Sequence, residues 1–410
     1  MKREAFDKIN HLLNYFPAVV ILGARQCGKT TLAKALRPSW RYMDLDSPTD
    51  LARFQEQDPS FYLNHYDHDL IIDEAQAYPP VFDILRGVID QKREWKGRFI
   101  LTGSSSPELL QQVSNSLAGR VAIVELSTLT GSEIISAPTP AFYQYFEGKL
   151  PATQLLELDN PVMTTETVHR TWLQGGYPEP VLSNDPHFFQ LWMAEYQKTY
   201  LFRDVAKLFP RLNHQAYQRF LSILARLSGT ILNKSELARS IEVSEPTIKD
   251  YLQIAEGTFL WRSISSFDAS PLKQVTKMPK GHFRDSGLLN YLLRISTLDD
   301  LLNHPHVGHL FESFVIENVL KHMDTLSIVN WQPRYYRTKH GAEVDLVLEG
   351  PFPCLPIEIK LGHTVTQRHL ASLKAFMADE HCPLGLVINQ ADSLLALAPN
   401  IIQIPVRYLV

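Results

Sequence analysis

Four residues at fixed spacing carry the first recognisable chemistry of this chain. Gly23, Gly28, Lys29 and Thr30 in "GARQCGKTT" fit the pattern G-x-x-x-x-G-K-[ST]. Glycines let successive backbone N–H groups turn inward around an anion, the lysine reaches terminal phosphates, and the threonine hydroxyl suits Mg²⁺. The apolar run "AVVIL" before the loop and "TTLAKAL" after it read as a strand and a helix, which favours a phosphate cradle over a glycine turn with a chance lysine. Gly23, Ala24, Arg25, Gln26, Cys27, Gly28, Lys29, Thr30 and Thr31 are therefore expected around the phosphates of ATP, with Cys27 a small filler. A second apolar strand, "HDLIIDEAQ", ends in acids: Asp73 is expected to hold Mg²⁺ through water and Glu74 to polarise the attacking water. "RFILTGSSS" brings Thr102, Ser104 and Ser105 to the end of a third strand, where a serine such as Ser104 either senses the terminal phosphate or caps the next helix. Arg120, just before the strand "VAIVEL", either reaches a neighbouring subunit's nucleotide, which implies a homo-oligomer, or pairs within the chain.

A second group of chemistry-bearing residues lies near the other end, in "GAEVDLVLEGPFPCLPIEIK". Strand residues alternate between faces, so Glu358 and Lys360 point the same way, and Asp345 lies on the strand before. Two carboxylates with the Ile359 carbonyl make an oxygen cage suited to Mg²⁺ or Mn²⁺. A lysine beside it orients water and stabilises charge building on a phosphate. The competing reading is a polar strand face with an Asp345–Lys360 ion pair and no further meaning. His304, His306 and His309 in "NHPHVGH" are either zinc ligands or a polar turn. "WQPRYYRTKHG" sets Arg334, Arg337 and Lys339 among aromatics, either to stack on bases or as a solvated edge hairpin.

These residues need a scaffold. Strands near 18–22, 41–45, 69–73, 98–103 and 121–125, separated by helices, predict a three-layer parallel α/β sheet. From about 140 to 215 the pattern is helical, with "TWLQGGYPEPVL" as an interruption. "KSELARSI", "EVSE", "PTIKDYLQIAEG" and "TFLWRSI" give the order of a winged helix-turn-helix. Its second helix and approach carry Glu242, Glu245, Asp250 and Glu256 against Lys249 alone, which favours a structural or protein-binding role over reading a DNA groove. Lys198, Arg203, Lys207, Arg211, Arg219, Arg226, Lys234 and Arg239, then Lys273, Lys277, Lys280 and Arg284, form either a backbone-tracking basic surface or ordinary solvated faces. The last third reads as helix "HLFESFVIENVLKHM", four strands, helix "QRHLASLKAFMA" and strand "LGLVIN".

In combination, "GARQCGKTTL", "IIDEAQ", "ILTGSSS" and "SLAGR" resemble a large prokaryotic group of AAA-type ATPases over roughly residues 17–135. "GGYPEP" and "YLFRDV" look like further signatures of that group. Residues 306–390 resemble the PD-(D/E)xK nuclease superfamily. That resemblance implies metal binding by Asp345 and Glu358, catalysis by Lys360, and Glu312 as the helix-borne acid. "FRDSGLLNYLL", "GHLFESFV" and "EVD…EIK" match the closing domain of the same ATPase group, so the likeness extends over nearly the whole chain. After Lys360 the next helix offers Gln367 but no tyrosine four residues on, a departure from some nuclease branches.

The expected architecture is a P-loop AAA-type core (1–135), a helical lid (136–212), a winged helix-turn-helix (213–268) and a PD-(D/E)xK nuclease-like α/β domain (269–410). The expected function is ATP binding and hydrolysis by a protein acting on nucleic acid, DNA favoured, through a Mg²⁺-dependent C-terminal domain. The alternatives are a nucleotide-dependent signalling switch, or a DNA-tethering ATPase with an inert docking domain. A net charge of −4 over 410 residues creates no global attraction for nucleic acid, so any such attraction is local. No apolar run spans a bilayer, and Cys27, Cys354 and Cys382 fit neither a disulfide framework nor a cysteine zinc site; a cytoplasmic protein is expected.

Overall fold

Three continuous apolar runs in the first third, Ala18–Gly23, Leu70–Asp73 and Phe99–Ser104, become strands buried on both faces, as the inner strands of a parallel sheet between two helical layers must be. The computed structural model describes residues 2–410 except 57, 105–112, 114, 206–208, 210–211, 269–276 and 340. Contacts divide the chain into two units: Lys2–Thr128 with Gln253–Leu260, and Leu129–Leu252 with Trp261–Val410.

In the first unit, β1 (Ala18–Gly23), β2 (Arg41–Asp44), β3 (Leu70–Asp73), β4 (Phe99–Ser104) and β5 (Val121–Leu126) lie in the order β2-β3-β4-β1-β5. All their pairings are parallel. Alternate residues of one strand feed two cores. Ala18, Val20 and Leu22 of β1 pack with Phe54 and Leu63 of α3 (Pro48–Glu56) and α4 (Pro59–His65), and with Phe82 and Leu85 of α5 (Val81–Gln91). Val19 and Ile21 pack instead with Ile9 and Leu13 of α1 (Ala5–Leu13) and Leu32 and Leu36 of α2 (Lys29–Leu36). The segment Gln253–Leu260 adds Phe259, which packs on both cores.

The second unit begins with helices, among them α6 (Thr165–Gln174), α7 (Pro186–Tyr196) and a π-helical stretch, Gln197–Asp204. Then follow α8 (His214–Arg226), β6 (Thr230–Ile231), α9 (Lys234–Ile241), α10 (Glu245–Gly257, which belongs to this unit only as far as Leu252), β7 (Trp261–Ser266) and β8 (Lys280–Phe283). Next come α11 (Ser286–Leu292), α12 (Leu298–Leu302), α13 (Val307–Thr325), β9 (Gln332–Arg337), β10 (Glu343–Glu349) and β11 (Leu355–Ile359). The chain closes with α14 (Ala371–Asp379), β12 (Gly385–Asn389), β13 (Leu395–Ala398) and β14 (Ile401–Pro405).

Nine of these strands share one sheet, β13-β14-β12-β11-β10-β9-β7-β8-β6. β7 pairs antiparallel with β8 and parallel with β9, setting Ser265 opposite Arg334 and Ser266 opposite Tyr335. The boundary expected at 268/269 thus falls inside a continuous sheet. β9 lies between β10 and β7, so it is not the edge strand that its aromatic and basic residues implied. Arg334 pairs with Glu349 at 3.1 Å and Arg337 with Glu343 at 3.9 Å.

Two of the sequence signatures meet through glycines. A Cβ on Gly175 would lie 2.2 Å from Asp285 Oδ1, and one on Gly287 would lie 2.0 Å from the Gln174 carbonyl oxygen. Asp285 caps α11 through the Leu288 N–H and accepts from Gly176 N at 2.9 Å. "GGY" and "DSG" are therefore a docking joint between α6 and α11. Among the described residues no helix is long and apolar enough to cross a membrane. The three cysteines are free.

Candidate functional site

The glycine loop takes the path its composition allows. Gly28 is left-handed at φ 98°, and a Cβ on Gly23 would lie 2.2 Å from the Leu126 carbonyl oxygen, so β1 and β5 approach closely only because that side chain is absent. Arg25 and Gln26 are exposed at the tip, Thr31 is exposed on the first turn of α2, and Ala24 and Cys27 are buried beneath. Cys27 Sγ lies 3.4 Å from the Leu126 carbonyl oxygen, consistent with a packing role. Arg3, missed by sequence reasoning, staples the loop to the end of β5 by donating to the Cys27 carbonyl at 2.7 Å and the Ser127 carbonyl at 2.6 Å.

Lys29 is 4% exposed, and its ammonium donates to uncharged oxygens: Gly23 O at 3.1 Å, Ala24 O at 2.9 Å and Ser104 Oγ at 3.4 Å. Among the described residues no carboxylate pairs with it. A buried ammonium without a counter-charge is a standing attraction for an anion, so the loop fits a phosphate. Thr30 Oγ1 donates to Asp73 Oδ2 at 2.8 Å, and Tyr42 OH donates to the same oxygen at 2.6 Å. Burial and Asp73 hold the Tyr42 phenol far above its ordinary pKa. Thr102 Oγ1 bonds to Asp73 Oδ1 and accepts from Glu74 N at 3.2 Å. Glu74 is left-handed at φ 48°, which turns its carboxylate toward Ser104, whose N and Oγ are each 3.3 Å away. Ser104 therefore stands between Lys29 and Glu74. Ser105 lies outside the described residues.

Thr30 and Asp73 are the groups that would hold Mg²⁺, and the Lys29 ammonium and loop N–H groups would hold the phosphates. The ion, when bound, supplies charge neutralisation on the phosphate oxygens. Arg120 sits elsewhere on the unit, with Nε and Nη2 each 2.7 Å from a carboxylate oxygen of Asp90 on α5. That bidentate pair holds the Asp90 carboxyl below its ordinary range, and the structure shows Arg120 in the within-chain arrangement.

In the second unit the residues from the far end do converge. β10 bulges opposite β9 between Val344 and Val347, so both valines face the same core although they are three apart. Asp345 lies within that bulge and accepts from Ile359 N on β11 at 2.7 Å. Lys360 Nζ is 2.5 Å from Glu358 Oε1 and 3.6 Å from Asp345 Oδ2. Glu312, on the almost wholly buried α13, completes the group.

The metal cage expected there is changed by a residue that sequence reasoning assigned to a solvated basic stretch. Lys280 on β8 is 2% exposed; its Nζ pairs with Glu312 Oε1, lies 2.9 Å from Glu343 and 3.9 Å from Asp345 Oδ1. Burying several carboxylates together demands cations, and Lys280 and Lys360 supply them. Among the described residues no group of three or more His, Cys, Asp or Glu is arranged to hold a metal ion, so the ring of Glu312, Asp345 and Glu358 is not formed. Lys280 instead holds Glu312 below its ordinary carboxylate range despite burial. Burial, with Glu312 nearby, pushes Asp345 up to about 6; burial, with Asp345 nearby, pushes Glu358 up to about 8. Glu358 Oε2 is buried without a hydrogen-bond partner among the described residues. Asp345 and Glu358 thus form a buried, mutually repelling carboxyl pair with the Lys360 ammonium beside both. Burial and solvent approach coexist here: Asp345 and Glu358 are 6% exposed, while the Lys360 side chain is 32% exposed.

Neighbouring residues were not legible as partners. His309 Nδ1 lies 3.8 Å from Glu312 Oε2, which raises its pKa. His282 is fully buried beside Ser313 Oγ at 3.0 Å, and burial pushes it down to about 3. The rings of His304, His306 and His309 form a row at 5.8 and 6.5 Å without converging on a metal, in a turn where Val307 N bonds to His304 O at 3.0 Å. In the remaining basic stretch, Lys198 pairs with Glu195 and Lys277 with Asp268. Lys207, Arg211 and Lys273 lie outside the described residues.

Residues 15–135 match the family model of an AAA domain. Residues 165–299 and 307–409 match two domains of unknown function, DUF8612 and DUF4143. The chain is 29% identical over 407 residues to an uncharacterized protein of Mycobacterium tuberculosis, spanning 98% of this chain and 83% of that protein. An uncharacterized protein of Mycobacterium bovis matches with the same identity and coverage. Among solved structures it is similar to a Walker-type ATPase of Pyrococcus abyssi, with TM-score 0.46 and 15% identity over 71% of this chain and 95% of that one. With the loop, Lys29 and the Thr30–Asp73 pair in place, residues 15–135 are an AAA-type P-loop ATPase domain that binds and hydrolyses ATP.

Proposed function

We propose that ATP hydrolysis in the first unit serves a nuclease-like centre in the second, and that the protein acts on nucleic acid, DNA favoured. The observation carrying this reading is the convergence of Asp345, Glu358 and Lys360, two buried carboxyls with raised pKa values beside a half-buried ammonium. Asp345, Glu358 and the Ile359 carbonyl would hold Mg²⁺ or Mn²⁺, which when bound supplies Lewis-acid polarisation of a phosphate. Lys360 would orient the attacking water and stabilise charge on the phosphate oxygens. Glu312 positions rather than ligates, because Lys280 occupies its carboxylate. In the ATPase centre Glu74 would polarise water beside Lys29 and Ser104. The order α8–β6–α9–α10–β7–β8 supports a winged-helix module, and the helices from 136 to 212 supply the lid.

The test is divalent-dependent cleavage of single-stranded, duplex and branched substrates, with and without ATP. Asp345→Ala should abolish cleavage while ATPase activity persists. A second reading is favoured by Lys280: it pairs with Glu312 and Glu343 and approaches Asp345 within the chain, as in a second unit that is a docking module of a nucleotide switch. Wild-type protein that hydrolyses ATP but cuts none of those substrates with Mg²⁺ or Mn²⁺ would leave this second reading standing. Homo-oligomerisation is proposed on Arg120 acting across subunits, which requires the Asp90 pair to open. Mixing Lys29→Ala with Arg120→Ala protein should then restore part of the ATPase activity, and failure to complement removes the argument.

A further inference from the structure

We propose that a cavity of about 900 Å³ in the second unit, flanked by Arg226 and Arg294, is a binding site for phosphate-ester anions. It is framed by α7, the start of the π-helical stretch, α8, the turn after α11 and the lead-in to α13. Its lining includes Gln190, Tyr291, His304 and His306 beside the two arginines, and no Asp or Glu among the described residues. Arg226 ends α8 and Arg294 stands two residues beyond α11, in a left-handed conformation at φ 62°. Both are exposed, and neither guanidinium makes a hydrogen bond or ion pair among the described residues. Most other arginines of this unit differ in this respect: Arg262 holds Glu317, Arg334 holds Glu349, and Arg239 donates to its own helix. Two unpaired guanidinium groups lining one cavity favour an anion between them.

Phosphate is the anion this lining fits. Guanidinium forks match phosphate oxygens two at a time, and glutamine, serine and histidine add donors without a competing negative charge. His306 is the N-cap of the 19-residue α13 and makes no side-chain cap, so the positive end of a long helix adjoins the cavity. Gln197, on the wall, opens the π-helical stretch; such widened turns recur at ligand sites. The volume is that of a small-molecule site. The row His304–His306–His309 leads from the cavity to Glu312, so a phosphodiester strand gripped by the arginines would run toward the acid cluster. The same chemistry would suit a free phosphorylated small molecule. Binding here does not depend on the acids cleaving anything.

The full chain is titrated with a labelled single-stranded 20-mer by fluorescence anisotropy, and with inorganic pyrophosphate by thermal shift. Wild type is compared with Arg226→Gln, Arg294→Gln and, outside the cavity lining, Arg239→Gln; the Lys29 loop contributes equally to all four. Each cavity variant should weaken at least one probe about tenfold. If the strand is the ligand, each should also reduce the slope of log affinity against log salt by about 0.7. Loss confined to the 20-mer identifies a nucleic-acid strand, and loss confined to pyrophosphate identifies a small phosphorylated ligand. Both probes binding Arg226→Gln and Arg294→Gln like wild type, or Arg239→Gln weakening binding equally, overturns the proposal. Asp345→Ala protein should bind as wild type does, which separates this site from the cleavage reading.

Discussion

Glu74 is held at the end of its strand by a left-handed backbone and by Ser104, one hydroxyl away from the Lys29 ammonium. Glu74→Gln keeps the shape and removes the base, so hydrolysis should fall at least about 100-fold while ATP binding is retained. Parallel turnover and nucleotide-binding measurements check this, and an equal loss of both would place Glu74 in the binding of the phosphates instead. His282 gives a pH dependence. Its folded pKa of about 3 lies below the ordinary value of 6.5, so unfolding takes up a proton between those limits. The associated stability is present above pH 6.5 and is lost progressively as pH falls toward 3. Between pH 7 and pH 5 the wild-type Tm should therefore fall more than that of His282→Gln, by roughly 2–4 °C; parallel declines in thermal melts would contradict the assignment. Residues whose type serves a ligand were readable in advance: the glycine loop, Asp73 and Glu74 form a local pattern. Lys280 was not, because its role comes from being buried among acids 32, 63 and 65 positions away, Glu312, Glu343 and Asp345, and nothing local separates it from a surface lysine.

At the scale of elements, the strands of the first unit were legible to within about one residue, most plainly the inner strands β1, β3 and β4, because a strand buried on both faces is an uninterrupted apolar run. The second sheet was less so. That β7 pairs with β9 as well as β8 depends on register over a long separation, and the bulge at Asp345 leaves no mark in an alternating pattern. The glycines of "GGY" and "DSG" had no chemistry to find; their function is close approach. Gly175 is left-handed at φ 68°, and both Gly175 and Gly287 would place a Cβ within 2.2 Å of a neighbour. Gly175→Ala and Gly287→Ala should each cost about 2–3 kcal/mol by denaturant unfolding. Gly148, with no atom within 4 Å of such a Cβ, is the control; its left-handed φ of 70° should make Gly148→Ala cost only about 1 kcal/mol.

At the scale of the molecule, the ATPase unit is assembled from two separate stretches of chain. Phe259, left-handed at φ 57°, packs on both cores of a unit whose other residues end at Thr128. Phe259→Ala should lower that unit's stability by about 1–2 kcal/mol, read as an earlier calorimetric transition and an ATPase activity lost at lower temperature. An unchanged transition would show that the segment is dispensable. The same discontinuity bears on synthesis. A ribosome delivers the whole parallel sheet long before it delivers residues 253–260, so the nascent nucleotide domain waits, its last apolar contact missing, while more than a hundred intervening residues are translated.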